Sequence, residues 1–217
     1  SAILFLKYTH KLYIIVLINK EKKEKTMTTK KNGQETIGKR NLARTRGIIF
    51  SGVVAALYVV LTLPFAQFAY GPIQFRLAEI LAILPIFTGA AIPGVTIGCL
   101  IANLLNPSAL GPIDIIFGSL ATLIAAFLTR VIARRSKHKW LGIIPPILVN
   151  GVIVGGYLAF LLAEGEITYM VVLISMASVA ASEAVLLIVL GLPLLTVIRK
   201  TKLQGFLERI DSKQDKK

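Results

Sequence analysis

A chain of 217 residues with 55% hydrophobic content and a mean hydropathy of +0.73 is more apolar than a soluble domain, in which roughly 45–50% is usual. Its formal charge of +14 sits in runs between apolar stretches, so it marks membrane topology before it marks a nucleic-acid surface, and no nucleic-acid partner is expected. A single cysteine, Cys99, excludes an internal disulfide, and two histidines, His10 and His138, do not make a metal centre, so neither metal nor cofactor is expected.

Residues 2–18 (AILFLKYTHKLYIIVLI) are apolar but broken by Lys7, His10 and Lys11, and fall short of the about 20 apolar residues a crossing needs. The charged stretch after them reads as a disordered cytoplasmic arm, which gives an N-terminal segment over 1–45. Met27 is the expected start, with residues 1–26 as an upstream extension. The membrane domain is expected over 46–199, and a basic C-terminal cytoplasmic tail over 200–217.

Within the membrane domain the first span is expected over 47–69, long enough at about 1.5 Å per residue to cross a hydrocarbon core of about 30 Å. Two shorter apolar runs, 77–87 and 92–105, are separated by TGAAIPG and read as partial or thin crossings. Spans over 113–132, 140–162 and 169–198 complete the set. The expected fold class is an all-α integral membrane protein, a bundle of six transmembrane helices.

Charge placement gives an independent reading of that number. Lys39, Arg40, Arg44 and Arg46 precede the first span, Arg130, Arg134, Arg135, Lys137 and Lys139 end the fourth, and Arg199, Lys200 and Lys202 follow the sixth. Six crossings put all three clusters on one side, and the positive-inside rule makes both termini cytoplasmic. Trp140, Tyr70 and Tyr169 fall at span ends, where interfacial aromatics belong, and Glu164 and Glu166 fall on the outer side.

The segment 72–126 organises the rest, because it is apolar yet carries Arg76, Glu79, Asn103 and Asp114. Ionisable groups in such segments mark solute pathways, since a carboxylate there costs about 2.5–3.5 kcal/mol unless paired or hydrated. Glu79, Asn103 and Asp114 converge on the outer half of the bundle, and Asn150 and Glu183 lie near mid-membrane, within reach of a pocket open to the outside. Each has a second reading. Asp114 opens an apolar helix and suits its dipole, Asn103 and Asn150 suit interhelical hydrogen bonds, and Arg76 suits a snorkelling contact or an i,i+3 pair with Glu79. Ser175, Ser178 and Ser182 read as helix-packing residues.

In the first span, Gly47, Ser51 and Ala55 recur at i, i+4 and i+8, with Gly52 and Ala56 beside them. Small residues at this spacing admit a close helix, either a partner's or one of the same bundle. There is no G-x-x-x-x-G-K-[ST], H-E-x-x-H or G-x-S-x-G motif, so the chain is not expected to be an enzyme, and uphill transport would need a separate ATPase or a coupling ion.

The runs PIQFRLAEILAILPIFTGAAIPGVTIGCLIANLLN and LGPIDIIFGSLATLIAA resemble the QueT family, the substrate-binding S components of energy-coupling-factor uptake transporters. The resemblance covers roughly residues 46–198. It implies a six-helix bundle in the bacterial cytoplasmic membrane that binds a queuosine precursor on its outer side. The ligand would be a 7-deazaguanine such as the 7-aminomethyl or 7-cyano form. It also implies two kinds of partner, a transmembrane coupling subunit and two cytoplasmic ATPases. The small-residue face of the first span would dock on the coupling subunit, although Gly47, Ser51 and Ala55 stand where the family has an alanine pattern.

Residue chemistry suits such a ligand. Its guanine-like edge offers two adjacent donors that one carboxylate accepts, a role for Glu79 or Glu183, and a carbonyl that Asn103, Asn150, Gln74 or Arg76 can donate to. Asp114 suits an aminomethyl cation, and Phe75, Phe117 or Tyr157 a ring contact. Residues 72–76 read as a lid. The rival expectation is a stand-alone ion-coupled transporter or channel for a small polar solute.

Overall fold

The computed structural model describes residues 20–23, 25, 27, 41–65, 75–106, 111–162 and 166–211. Two units divide the chain, Ser1–Arg44 and Thr45–Lys217. In the first, the described residues between 20 and 27 are helical and exposed, and Lys25 pairs with Glu21 at 2.6 Å, one helical turn away.

In the second unit every regular element among the described residues is helical. Four helices are long and apolar enough to cross a membrane: α1 (Asn41–Phe65), α4 (Asp114–Arg135), α5 (Lys139–Leu161) and α6 (Tyr169–Lys200). Two apolar helices are shorter, α2 (Leu77–Ile86) and α3 (Ala91–Leu105). At about 2.0 Å per residue for the 3-10 geometry of α2 and about 1.5 Å for α3, each spans only about 20 Å, which fits their reading as thin crossings. Among the described residues, each of the six apolar runs expected in the membrane domain forms a helix, the first as far as Phe65.

One of the shortest helices is the most enclosed. Eight residues of α2, from Ala78 to Ile86, are buried, and it packs against α3, α4, α6 and the first turn of α5. With neighbours on all sides, α2 needs no amphipathic face. Around it lies the main apolar core, which includes Val54, Tyr58, Ile83, Leu84, Val95, Ala126, Leu187 and Ile198.

Glycines set two of the helix contacts by allowing backbones to approach. A Cβ at Gly98 of α3 would lie 2.5 Å from Tyr58 Cβ of α1, and one at Gly155 of α5 would lie 2.6 Å from Met176 Cα of α6. Ser175 Oγ then donates to Gly155 O at 2.7 Å, so this serine bonds across helices, whereas Ser182 Oγ bonds back to Val179 O at 2.9 Å in its own helix. Such small-residue seams replace the hydrophobic driving force that lipid does not supply.

Three local features depart from a reading of plain α-helices. The first five residues of α4, Asp114–Gly118, and Leu187–Gly191 within α6 wind as π-helical turns, which widen a helix locally and recur at functional sites. After residue 200 the expected tail contains a further helix, α7 (Lys202–Asp211). Its Leu207 and Ile210 are buried against the bundle, three residues apart on one face, while Leu203 and Phe206 are exposed.

The stripe of small residues on α1 faces inward. Ser51 Oγ donates to Ala90 O at 2.6 Å, Ala55 is buried, and the position of a Gly47 Cβ lies 3.8 Å from Ala90 Cβ. Gly94 and Gly98 of α3 meet the same face. Gly47, Ser51 and Ala55 thus take part in the within-bundle packing that their spacing equally allows. Small residues on the other side of α1, Gly52 and Ala56, are exposed.

Candidate functional site

Glu79 is the third residue of α2, and its carboxylate lies inside the bundle at 4% exposure. Around it the fold assembles a polar cavity lined by Arg76, Glu79, Gly118, Thr122, Asn150, Val154, Val179 and Glu183. Those residues come from α2 and the residue before it, α4, α5 and α6. Four of the seven residues expected to bind ligand, Arg76, Glu79, Asn150 and Glu183, meet here. The cavity measures about 10 Å³, room for about one water molecule and far below the roughly 300–1,000 Å³ of a small-molecule pocket.

Hydrogen bonds orient most of the lining. Tyr58 of α1, fully buried, donates to Glu79 Oε1 at 2.6 Å. Asn150 lines the same cavity as Glu79 and Glu183, so one amide stands among the two carboxylates. Arg76 is buried beside them, with Nη1 3.5 Å from Cys99 Sγ. Glu183 Oε1, by contrast, is buried without a hydrogen-bond partner. A buried carboxylate oxygen without a donor carries a desolvation cost, so Glu183 marks a point at which a donor would bind favourably.

A second polar cluster adjoins the cavity across Gly118. Asn103 Nδ2 donates to Asp114 O at 2.9 Å, and the Tyr157 hydroxyl donates to Asp114 Oδ1. A Cβ at Gly118 would stand 2.9 Å from Asn103 Nδ2, 3.4 Å from Asp114 Oδ1 and 3.5 Å from Tyr157 Oη, so only glycine lets this cluster reach the cavity wall. Asp114 Oδ2 is a further buried acceptor without a hydrogen-bond partner. Asn103 and Asp114 therefore sit beside the cavity and not in its lining. Phe117 and Tyr157 form a tilted ring pair with centroids 6.4 Å apart. Phe75 is exposed. Gln74, with most of the expected lid, lies outside the described residues.

Sequence reasoning missed Tyr58 and Thr122. For Tyr58 the signal was present, because continuing the inward stripe of α1 from Ser51 and Ala55 by one helical turn after another reaches Tyr58 and then Thr62, both fully buried. For Thr122 it was weak, since its hydroxyl bonds back to Gly118 O at 3.0 Å, as many serines and threonines in apolar helices do. Among the described residues no group of three or more histidine, cysteine or acidic side chains is arranged to hold a metal ion.

Chemically, the cavity offers two carboxylates as acceptors, a guanidinium and an amide as donors, and apolar walls from Val154 and Val179. That set suits a small, flat, polar solute with adjacent donors. The QueT transporter family model matches residues 48–200. The queuosine precursor transporter QueT of Lactococcus lactis subsp. cremoris (strain MG1363) is 38% identical over 100 residues, a stretch that is 45% of this chain and 57% of that relative. The chain therefore spans little more than half the length of this curated relative. No solved structure matches it. With the family model matching well over half of the residues, and with apolar helices where a multi-pass membrane protein has them, the chain belongs to the QueT transporter family.

Proposed function

We propose that the chain is the substrate-binding S component of an energy-coupling-factor uptake transporter in the bacterial cell membrane, and that it captures a 7-deazaguanine queuosine precursor. The observation that carries this reading is the meeting of Glu79, Glu183 and Asn150 in the lining of one buried cavity, with an acceptor oxygen of Glu183 left over. A guanine-like edge presents a ring N–H and an amino group side by side, and a carboxylate accepts both. Arg76 and Asn150 supply donors for the ring carbonyl. Asp114, across Gly118, would meet a 7-aminomethyl group. The Lactococcus relative, a queuosine precursor transporter, supports the same solute class.

At about 10 Å³ the cavity must widen to admit a bicyclic base. The π-helical turn at Asp114–Gly118 supplies a wall residue and holds one extra residue per turn, so its relaxation would move Gly118.

The proposed topology has six crossings with both termini in the cytoplasm. Arg130, near the end of α4, pairs with Asp211 of α7, just beyond α6, and Ser51, near the start of α1, bonds to the α2–α3 turn. These contacts support a topology with the basic clusters at one end of the bundle, the arrangement that the positive-inside rule favours. The energy would come from a transmembrane coupling subunit and two ATPases. Because Ser51 and Ala55 face α3, the docking surface on α1 would be its outer side, around Gly52 and Ala56.

The test is a binding isotherm of purified chain with 7-cyano-7-deazaguanine. Saturable binding that E79Q weakens at least about tenfold, about 1.4 kcal/mol, supports the reading. A folded E79Q protein that binds as wild type does would remove Glu79 from the site, and co-purification without any ATPase partner would argue against the S-component role.

A further inference from the structure

A second buried charge cluster closes the end of α2 opposite the cavity. Asp211, at the end of α7, accepts from Thr88 Oγ1 at 2.8 Å through Oδ1 and from the Gly89 N–H at 2.7 Å through Oδ2, and it pairs with Arg130 of α4. Arg130 Nη1 in turn donates to the carbonyls of Pro85 and Ile86, at 3.3 Å each. Side chains of both residues are only 12% exposed. The cluster binds both kinds of backbone group at the helix end. A guanidinium holds two of the last carbonyls of α2, and a carboxylate holds the first free amide of the turn that follows. Gly89 makes room for it, since a Cβ there would lie 3.6 Å from Asp211 Oδ2.

The 3-10 winding of α2 makes these contacts consequential. Its i→i+3 bonds have poorer geometry than α-helical ones, and runs beyond three or four residues are uncommon, so ten residues in this form depend on what surrounds them. Glu79 lies near one end of this rod and the clasp at the other, about 20 Å apart at most.

We propose that Arg130 and Asp211 are positioning residues for solute binding. By fixing the α2–α3 turn they set the register of α2, and so the placement of Arg76 and Glu79 against Asn150 and Glu183. The C-terminal helix α7 is then a working part of the binding domain, although none of its described side chains lines the cavity. The consequence for affinity rests on the functional reading above, whereas the mechanical link between the two ends of α2 does not.

Hydrogen exchange on the whole chain in detergent reads both ends of α2 at once, without ligand. In D211A the expectation is faster exchange at residues 87–92 and also at 76–83. D211N keeps one acceptor oxygen and should show the same pattern at smaller amplitude, which serves if D211A does not fold. A rise confined to 87–92, or none at either end, overturns the proposal. A second arm measures the Kd for 7-cyano-7-deazaguanine. D211A should raise it about fivefold, while L195A, a core change on α6 with a comparable loss of thermal stability, should leave it within about twofold. Equal shifts in the two variants would make Asp211 a merely structural residue and overturn the positioning role. If the wild-type chain fails to bind this base, the functional reading fails, and the exchange arm still decides whether the clasp governs the cavity end of α2.

Discussion

Both ends of α2 carry buried charge, but they differ in how completely that charge is satisfied. At the α2–α3 turn each oxygen of Asp211 has a donor and Arg130 spans carboxylate and backbone carbonyls, so the cluster is closed on its acceptor side. At the cavity, Tyr58 satisfies part of the acceptor capacity, and Glu183 Oε1 is left without a donor, as is the nearby Asp114 Oδ2. A closed cluster stabilises a packing arrangement. An open one, in a bundle that could have placed leucine there, keeps a cost that only a ligand's donors would offset. Burial of charge alone therefore does not point to a binding site, and it is the unsatisfied acceptors that support the proposed one.

That contrast predicts effects of different size and kind. The largest belongs to the closed end, where R130A leaves Asp211 buried without its cation and should lower the unfolding free energy by about 3 kcal/mol, read from denaturant or thermal unfolding in detergent. At the open end the loss should fall on binding instead, with E79Q weakening 7-cyano-7-deazaguanine at least about tenfold and costing less stability than R130A. Y58F removes the phenol that orients Glu79 and should weaken the same binding by about fivefold, about 1 kcal/mol, in an isothermal titration. The smallest effect is expected for A56S on the outer face of α1, where stability should shift by less than about 0.5 kcal/mol because the residue is exposed outside the bundle. Should R130A and E79Q lose stability and binding in the same proportion, the distinction between the two ends would collapse.

Much of this architecture was legible in the sequence, because the membrane makes hydropathy decisive. Apolar runs long enough to cross became α1, α4, α5 and α6, and the two short runs became α2 and α3. The four residues that meet in the cavity were legible for the same reason, since a charged or amide side chain in an apolar helix carries a cost that composition exposes. Other features left no such trace. The 3-10 winding of α2 and the π-helical turns depend on neighbouring helices and not on local pattern. Asp211 lies 123 residues from Thr88 and 81 from Arg130, in a stretch whose charges read as a solvated tail. The small-residue stripe on α1 was visible, but spacing says only that something packs closely. That the neighbour is α3 follows from Gly94 and Gly98, which present their own small face to it.

Glu183 offers the most direct test of the open site. Its Oε1 makes no hydrogen bond within the protein, so E183Q replaces the carboxyl group by an amide while keeping the shape of the side chain. Unfolding and 7-cyano-7-deazaguanine binding measured on the same E183Q preparation should move in opposite directions, with stability unchanged or raised and affinity lowered at least about tenfold. A protein that loses stability yet binds the base as tightly as wild type would contradict the account, and would make Glu183 part of the scaffold.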